Sequence, residues 1–427
     1  MLDITPPPPP KTIEETGLTL NTLLNLVSKI MNERGTTVAS EISEDVKLPR
    51  MVVRLILKEM TSLLLIESQG LEKADVKSDV RYSLTDRGKK RAAEAMLATH
   101  YVGPAPVTLE AFHDQIEKQS ITQEVIERGD LQSALSHLVL PEGMLPQLGP
   151  AANSGRSILL YGEAGNGKTS IAEAIGKAFK QDIYIPYAIT VGNQIIVFYD
   201  ETLHEVVDFD PEAGDPRWIK VKRPTVVAGG ELTLEMLDLL FDQRSRTYEA
   251  PMHLKALGGV FVVDDFGRQK PTPLEILNRW IVPLELGFDI LSLHTGKKFN
   301  VPFDQLVIFS TNLHPQNMGD EATMRRIYFK IFVPSPSKED YAEIFRIQCE
   351  HLKVPFNQEV VDAFFEAHYR DGRIAPSGAH PGFLLTHIKA ACIFLHQEPR
   401  LTRDMLDLAW KNVAILSKRE KITDLSA

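Results

Sequence analysis

Eight residues, Gly162-Glu163-Ala164-Gly165-Asn166-Gly167-Lys168-Thr169, constrain this 427-residue chain more than any other stretch. They follow the apolar run Ser157-Ile158-Leu159-Leu160-Tyr161, which reads as a buried strand, and lead into Ser170 to Phe179, which reads as a helix. A strand, a GxxxxGK[ST] turn and a helix in this order make a phosphate-binding loop. Its glycines let backbone N–H groups turn inward around an anion, and the following helix presents its N-terminus to the same charge. Gly162, Glu163, Ala164, Gly165, Asn166, Gly167, Lys168, Thr169 and Ser170 are thus candidates for holding a nucleoside triphosphate. In that role Lys168 reaches the β and γ oxygens and the Thr169 hydroxyl is placed to ligate Mg²⁺.

Further along, a second buried strand, Gly259 to Val263, ends in Asp264-Asp265. An apolar strand capped by paired acids is the expected partner of a phosphate loop, the Walker B element. Asp264 is the candidate for the Mg²⁺ shell and Asp265 for polarising the attacking water, although Asp is one methylene shorter than the usual Glu. A third buried strand, Leu306 to Ser310, ends in Thr311-Asn312, and Asn312 is placed to sense the γ-phosphate. Arg325 and Arg326 precede a fourth strand, Tyr328 to Val333. Either arginine could stabilise a transferring phosphoryl group from a neighbouring subunit, or pair on the surface with Asp320 or Glu321.

The remaining chain divides into residues 1–16, a proline-rich tail; 17–98, a small domain; 99–130, a linker and helical segment; 131–336, the α/β core; and 337–427, a helical lid. Pro6 to Pro10 reads as a stiff polyproline tether. In the small domain, helices are expected over Leu18 to Arg34, Val38 to Asp45 and from Pro49 onward. A hairpin of Leu64 to Glu67 with Val80 to Leu84 follows, and Thr85-Asp86-Arg87-Gly88 opens a last helix. Val107 to Leu140 reads as broken helix, and Pro141 to Gly155 as an irregular lead into the phosphate-loop strand. Asp182 to Tyr199 alternates as β-structure, with His204 to Asp208 as a further strand; Thr233 to Gln243 reads as a helix, and Ile290 to Val301 as a hairpin. The lid helices are expected over Glu339 to His351, Gln358 to Tyr369, Gly382 to His396 and Thr402 to Lys418.

Bulk properties exclude several classes. No apolar run approaches a membrane span, so membrane insertion is not expected, and the start lacks the basic and apolar regions of a secretory signal. Two distant cysteines, Cys349 and Cys392, fit a reducing cytoplasm. A net charge of −10 argues against coating nucleic acid with the whole surface. The 12 histidines show no HExxH or clustered Cys/His spacing, and no Asn-Lys-x-Asp reads guanine.

Taken in order, Walker A, Walker B, strand-end Asn312, an arginine pair and a helical lid resemble the AAA+ ATPases, over roughly residues 130 to 420. Tyr187-Ala188, Gly229-Gly230-Glu231-Leu232-Thr233, Asp264 to Gln269, Leu277 to Pro283 and Leu293 to Lys297 resemble a bacterial group labelled predicted AAA+ ATPases with chaperone activity. Residues 17–98, closing on Tyr82-Ser83-Leu84-Thr85-Asp86-Arg87-Gly88, resemble a winged-helix domain. The resemblance implies an α/β P-loop core with a parallel sheet flanked by helices, ATP and Mg²⁺ as cofactors, and a homo-oligomeric ring, commonly a hexamer, acting on a protein partner. It also makes the inserted hairpins, Tyr184 to His204 and Leu291 to Val301, candidates for a substrate-facing surface. Arg50, Arg54 and Lys58 share one face of the third helix, so duplex DNA is an alternative partner. Against it, residues 17–96 carry 13 basic and 11 acidic residues, a weak electrostatic footprint. The sequence departs from the family at His380-Pro381-Gly382, where relatives carry a lid arginine in a His-Pro-Arg context. Arg370, Arg373 and Lys389 are its candidate substitutes, and slow basal hydrolysis is the expectation.

Overall fold

A computed structural model describes residues 4–71, 80–210, 214–319, 324–370, 372 and 374–413. Its centre is a five-stranded, wholly parallel sheet in the order Thr225–Ala228, Val260–Val263, Leu306–Thr311, Ile158–Tyr161, Phe329–Phe332. Side chains alternate across it, as a pleated strand requires. Ile158 and Leu160, with Val260 and Val262, face one core that includes Ile171, Ala172 and Ile175 of the helix Lys168–Ala178. Leu159, Phe261 and Val263 face the other, with Trp280, Phe309 and Ile276. Burial on both faces explains why these strands read as continuous apolar runs.

The strand Thr225–Ala228 carries no such sequence signal, because Pro224 and Gly229-Gly230 crop it to four residues. It is nevertheless the sheet edge beside Val260–Val263. The segment expected to lead irregularly into the phosphate loop contains a helix, Leu145–Asn153, started by proline at its first turn.

A second sheet runs in the order Leu240–Asp242, Thr247–Glu249, Gln194–Val197, Ala188–Val191, Val107–Thr108. It overturns the helix expected over Thr233 to Gln243: only Glu235–Leu237 forms a 3₁₀ turn, and Leu240–Asp242 is a strand. The physical reason is the Asp242 side chain. It accepts from Arg244 N at 2.9 Å and Ser245 Oγ at 2.7 Å, closing a turn that pairs the strand with Thr247–Glu249. The expected strand at His204 to Asp208 reduces to one bridge, Val206 to Val221; the partner of Asp182–Pro186 is Trp218–Lys222. Val107 to Leu140 is helical only over Leu109–Lys118, a 3₁₀ turn and Arg128–Ala134, and begins as a strand. The second hairpin, Phe288–Ser292 with Lys298–Pro302, is present.

Residues 20–98 form helices Leu20–Arg34, Ala39–Val46, Arg50–Ser62 and Asp86–Ala98 with a three-stranded sheet, closed around their own apolar core. The proline run is not a free tether. Asp215 N donates to Pro7 O at 2.7 Å, Gln115 Nε2 donates to Thr5 O at 3.3 Å, and Pro10 is buried. Arg217, itself buried, donates to Thr16 O at 2.8 Å and Pro106 O at 3.3 Å. One guanidinium therefore holds the chain both before and after the small domain.

The C-terminal helices are Lys338–Leu352, Gln358–Tyr369, His380–Phe394 and Arg403–Val413, packed around Phe345, Phe364, Leu384 and Trp410. The continuation of the last one to Lys418 lies outside the described residues. Both cysteines are buried thiols in this bundle.

Candidate functional site

In an open parallel sheet, ligands sit at the carboxyl ends of the strands, where loops diverge. Here those ends bring the sequence-predicted residues together, because the strand ending in Asn312 lies between the phosphate-loop strand and the one ending in Asp264. Lys168 Nζ donates to Asn312 Oδ1 at 2.7 Å, and Asn312 Nδ2 donates to Asp265 Oδ1 at 3.4 Å. Thr169 Oγ1 donates to Asp264 Oδ1 at 2.7 Å. Lys168 also donates to Gly162 O at 3.0 Å and Glu163 O at 2.8 Å, so a bound phosphate would compete for an ammonium already held over the loop. Burial pushes the Lys168 ammonium below its ordinary value, while Asp264, Asp265 and Glu163 pull it back.

Asp265 is exposed and stands in the left-handed region at φ 49°, a strained conformation for a residue other than glycine. The turn around it is fixed from all sides. Gln269 Nε2 donates to Asp264 O at 2.7 Å, Gly267 N donates to Gln269 Oε1 at 2.9 Å, and Phe266 N donates to Ser310 O at 2.7 Å. Gln269 is buried and also reaches Gly229 O at 3.3 Å. In the sequence Gln269 showed only as the last residue of the stretch Asp264 to Gln269; its positioning role is visible in the structure alone.

A cavity of about 590 Å³ opens over the loop, a volume suited to a small-molecule ligand. Gly165, Asn166, Gly167, Lys168, Thr169 and Ser170 line its floor with Asp264, Asp265 and Asn312. His137 to Pro141 form one wall, and Ile344, Ile347, Gln348, Gly378 and Ala379 of the lid form the other. Neither wall was legible in the sequence, since each is made mostly of ordinary apolar and small residues, with His137 in one and Gln348 in the other, that only the fold brings to the loop. The lid is seated directly on the loop. Ser377 Oγ donates to Ala164 O at 3.1 Å and Gly378 N donates to Asn166 Oδ1 at 3.1 Å. Gly165, at φ 79°, is required there, because a Cβ would collide with Ser377 Oγ and Ala379.

Gly382 falls in the first turn of the helix His380–Phe394, next to Gln348 Oε1. Of its candidate substitutes, Arg370 and Lys389 do not line the cavity, and Arg373 lies outside the described residues. The polar side chains that the lid contributes among the described residues are Asp340 and Gln348. Arg325 and Arg326 also stay outside the cavity of their own chain. Arg326 Nε donates to Glu285 Oε1 at 3.2 Å, whereas Arg325 is exposed. Asp320 and Glu321, the alternative partners, lie outside the described residues.

The oxygens of Thr169 and Asp264 are hard donors of the kind Mg²⁺ takes, with its remaining positions left to water and substrate phosphate. Among the described residues no group of three or more His, Cys, Asp or Glu could hold a metal without such help. No helix among them is long and apolar enough to cross a membrane.

Residues 337–412 match the family described as "Domain of unknown function (DUF8689)". No curated protein matches the chain. Among solved structures, NtrX from Brucella abortus in complex with ADP is 15% identical at a TM-score of 0.41, covering 68% of this chain and 60% of that one. The Thermotoga maritima RuvB Holliday junction branch migration motor is 12% identical at a TM-score of 0.36, covering 69% of this chain and 74% of that one. At this similarity, function must be argued from the site itself.

Proposed function

We propose that this chain is an AAA+-type ATPase that binds ATP with Mg²⁺ and hydrolyses it at the interfaces of a homo-oligomeric ring, to remodel or assemble a protein partner. The carrying observation is the unbroken chain Lys168–Asn312–Asp265 beside the Thr169–Asp264 pair, at adjacent strand ends beneath a lid. Lys168 and the loop N–H groups hold the β and γ phosphates, while Thr169 and Asp264 hold the cation, which neutralises phosphate charge when bound. Asp265 takes the proton of the attacking water, and Asn312 fixes that water relative to the γ-phosphate. Each acts from a turn whose backbone is already locked, so little reorganisation remains for the reaction itself.

Hydrolysis in this scheme needs a cation from outside the subunit. Arg325 suits that role better than Arg326, since Arg326 is committed to Glu285 within its own chain. With no lid arginine among the described residues lining the cavity, basal turnover is slow and rises on assembly or partner binding. Residues 17–98 serve as a winged-helix recruitment domain.

The test is Mg²⁺-dependent ATP turnover as a function of protein concentration, with light scattering to follow assembly. Asp265→Asn should retain ATP and lose turnover by roughly a hundredfold or more, as removal of a general base does. Lys168→Ala should lose nucleotide. Rapid turnover by a monomer, or turnover that survives Asp265→Asn, would overturn the proposal.

A further inference from the structure

The helix Arg50–Ser62 buries Val52, Val53, Ile56, Leu57 and Met60 against the small domain's core. Its outer face carries two rows of side chains. Arg50, Arg54 and Lys58 succeed one another at four-residue spacing and are exposed. Beside them Met51 and Leu55 form a short apolar row, with 54% and 37% of their surface open, followed one turn on by the half-buried Glu59. The helix then runs into Leu63 and Leu64, exposed by 37% and 67%. Leu64 is held in the left-handed region, at φ 56°, by Thr85 Oγ1 donating to its carbonyl at 2.7 Å and by its own N–H donating to Thr61 O at 3.0 Å. The next residue, Leu65, is buried, so the turn costs backbone strain to keep a leucine in solvent.

The chemistry of this face decides what fits it. A helix lying in a DNA major groove would bring Met51 and Leu55 among phosphates and base edges, where the thymine methyl alone offers apolar contact. Between the strands Ile66–Leu71 and Val80–Leu84 the sequence carries Glu72, Asp75 and Asp79 against Lys73 and Lys77, so that stretch brings no net positive charge for phosphate. An amphipathic protein segment, with an apolar ridge beside a row of carboxylates, satisfies both rows at once.

We infer that the outer face of Arg50–Ser62 docks an acidic amphipathic segment of a protein partner. The apolar side chains of that segment seat on Met51 and Leu55, extending toward Leu63 and Leu64, and its carboxylates meet Arg50, Arg54 and Lys58. The inference rests on reading residues 17–98 as the recruitment domain of the ATPase.

The test is selection of binding peptides from a random library on the intact chain, followed by fluorescence anisotropy with the selected peptides and, separately, with a duplex DNA fragment at physiological salt. Selected peptides should be acidic and carry large apolar residues at i, i+3 or i+4 spacing. Leu55→Ser should weaken them about tenfold or more, as loss of a central apolar contact does. Arg54→Glu should do the same and be rescued by peptides with Lys in place of Glu. Selection of basic or uncharged peptides, no selection at all, binding that survives both substitutions, or salt-sensitive DNA binding lost in Arg54→Glu would each overturn the inference. ATP turnover of the unaltered chain, measured in parallel, tests the ATPase reading separately, so a chain that hydrolyses ATP but selects no acidic peptide loses only the docking assignment.

Discussion

Replacing Arg217 by Ala removes a group that holds the chain both before and after the small domain, through Thr16 O and Pro106 O. The Arg217 guanidinium meets the Asp215 carboxylate through Nε at 3.1 Å and Nη2 at 2.7 Å, with both side chains about 5% exposed or less. It also donates to Thr16 O and Pro106 O. The substitution leaves a buried carboxylate without its cation and two carbonyls without their donor. Breaking a buried pair in this way costs about 3–5 kcal/mol. Residues 4–16 are half-buried or exposed except at Pro10 and Thr16, so the loss should appear as local opening of this arm and not as global unfolding. Converted at about 1.4 kcal/mol per factor of ten, the opening constant rises by roughly two to three and a half powers of ten. Native-state hydrogen exchange reads this directly at Asp215 N–H, which donates to Pro7 O. Arg217→Lys, which keeps the charge but lacks the fork, should fall between wild type and Arg217→Ala. An Asp215 amide whose exchange changes less than about tenfold in Arg217→Ala would refute the latch.

Three other outcomes are expected. In mixed assemblies, Arg325→Ala subunits should suppress turnover by neighbours that carry intact phosphate loops, by roughly a hundredfold or more at full substitution; Arg326→Ala, which frees Glu285, should do so less. Coupled ATPase assays on mixtures with unaltered subunits check this, and mixing Arg325→Ala with Lys168→Ala, whose Arg325 completes the intact loops, should recover turnover. Gly165→Ala forces a left-handed residue and a Cβ against Ser377 and Ala379; it should displace the lid and weaken nucleotide binding about tenfold or more, read by titration calorimetry. The Asp289 carboxyl, which burial alone would raise, is held down to about 2 by hydrogen bonds from His253 and Arg279. A depressed carboxylate contributes its stability above the ordinary value near 3.8 and loses it as pH falls toward 2. That contribution is about 2 kcal/mol at neutral pH. Denaturant unfolding between pH 5 and pH 2 should show it, and Asp289→Asn should flatten that pH dependence.

The chemistry proposed for the loop site was written in short local patterns, because each of its parts is a strand end or a turn whose residue types suit contact with phosphate, cation or water. Gly162 to Thr169, Asp264, Asp265 and Asn312 could be read that way, and so could the lid helices, from their apolar spacing. The strand Thr225–Ala228 could not, since four residues between Pro224 and Gly229 carry too little periodicity to separate strand from loop. Nor could Leu240–Asp242, where apolar spacing suggested helix and the Asp242 turn chose a hairpin. The proline run looked like a tether because composition reports stiffness and says nothing about what the stiff segment lies against. Tertiary structure alone decided that the strand ending in Asn312 lies between those ending in the phosphate loop and in Asp264, that the lid rests on the phosphate loop through Ser377 and Gly378, and that Arg326 pairs with Glu285 while Arg325 is exposed. The physical reason is the same in each case. Local sequence specifies what a residue can bond to, but strand order and docking are set by burying whole faces, and no single segment carries that information.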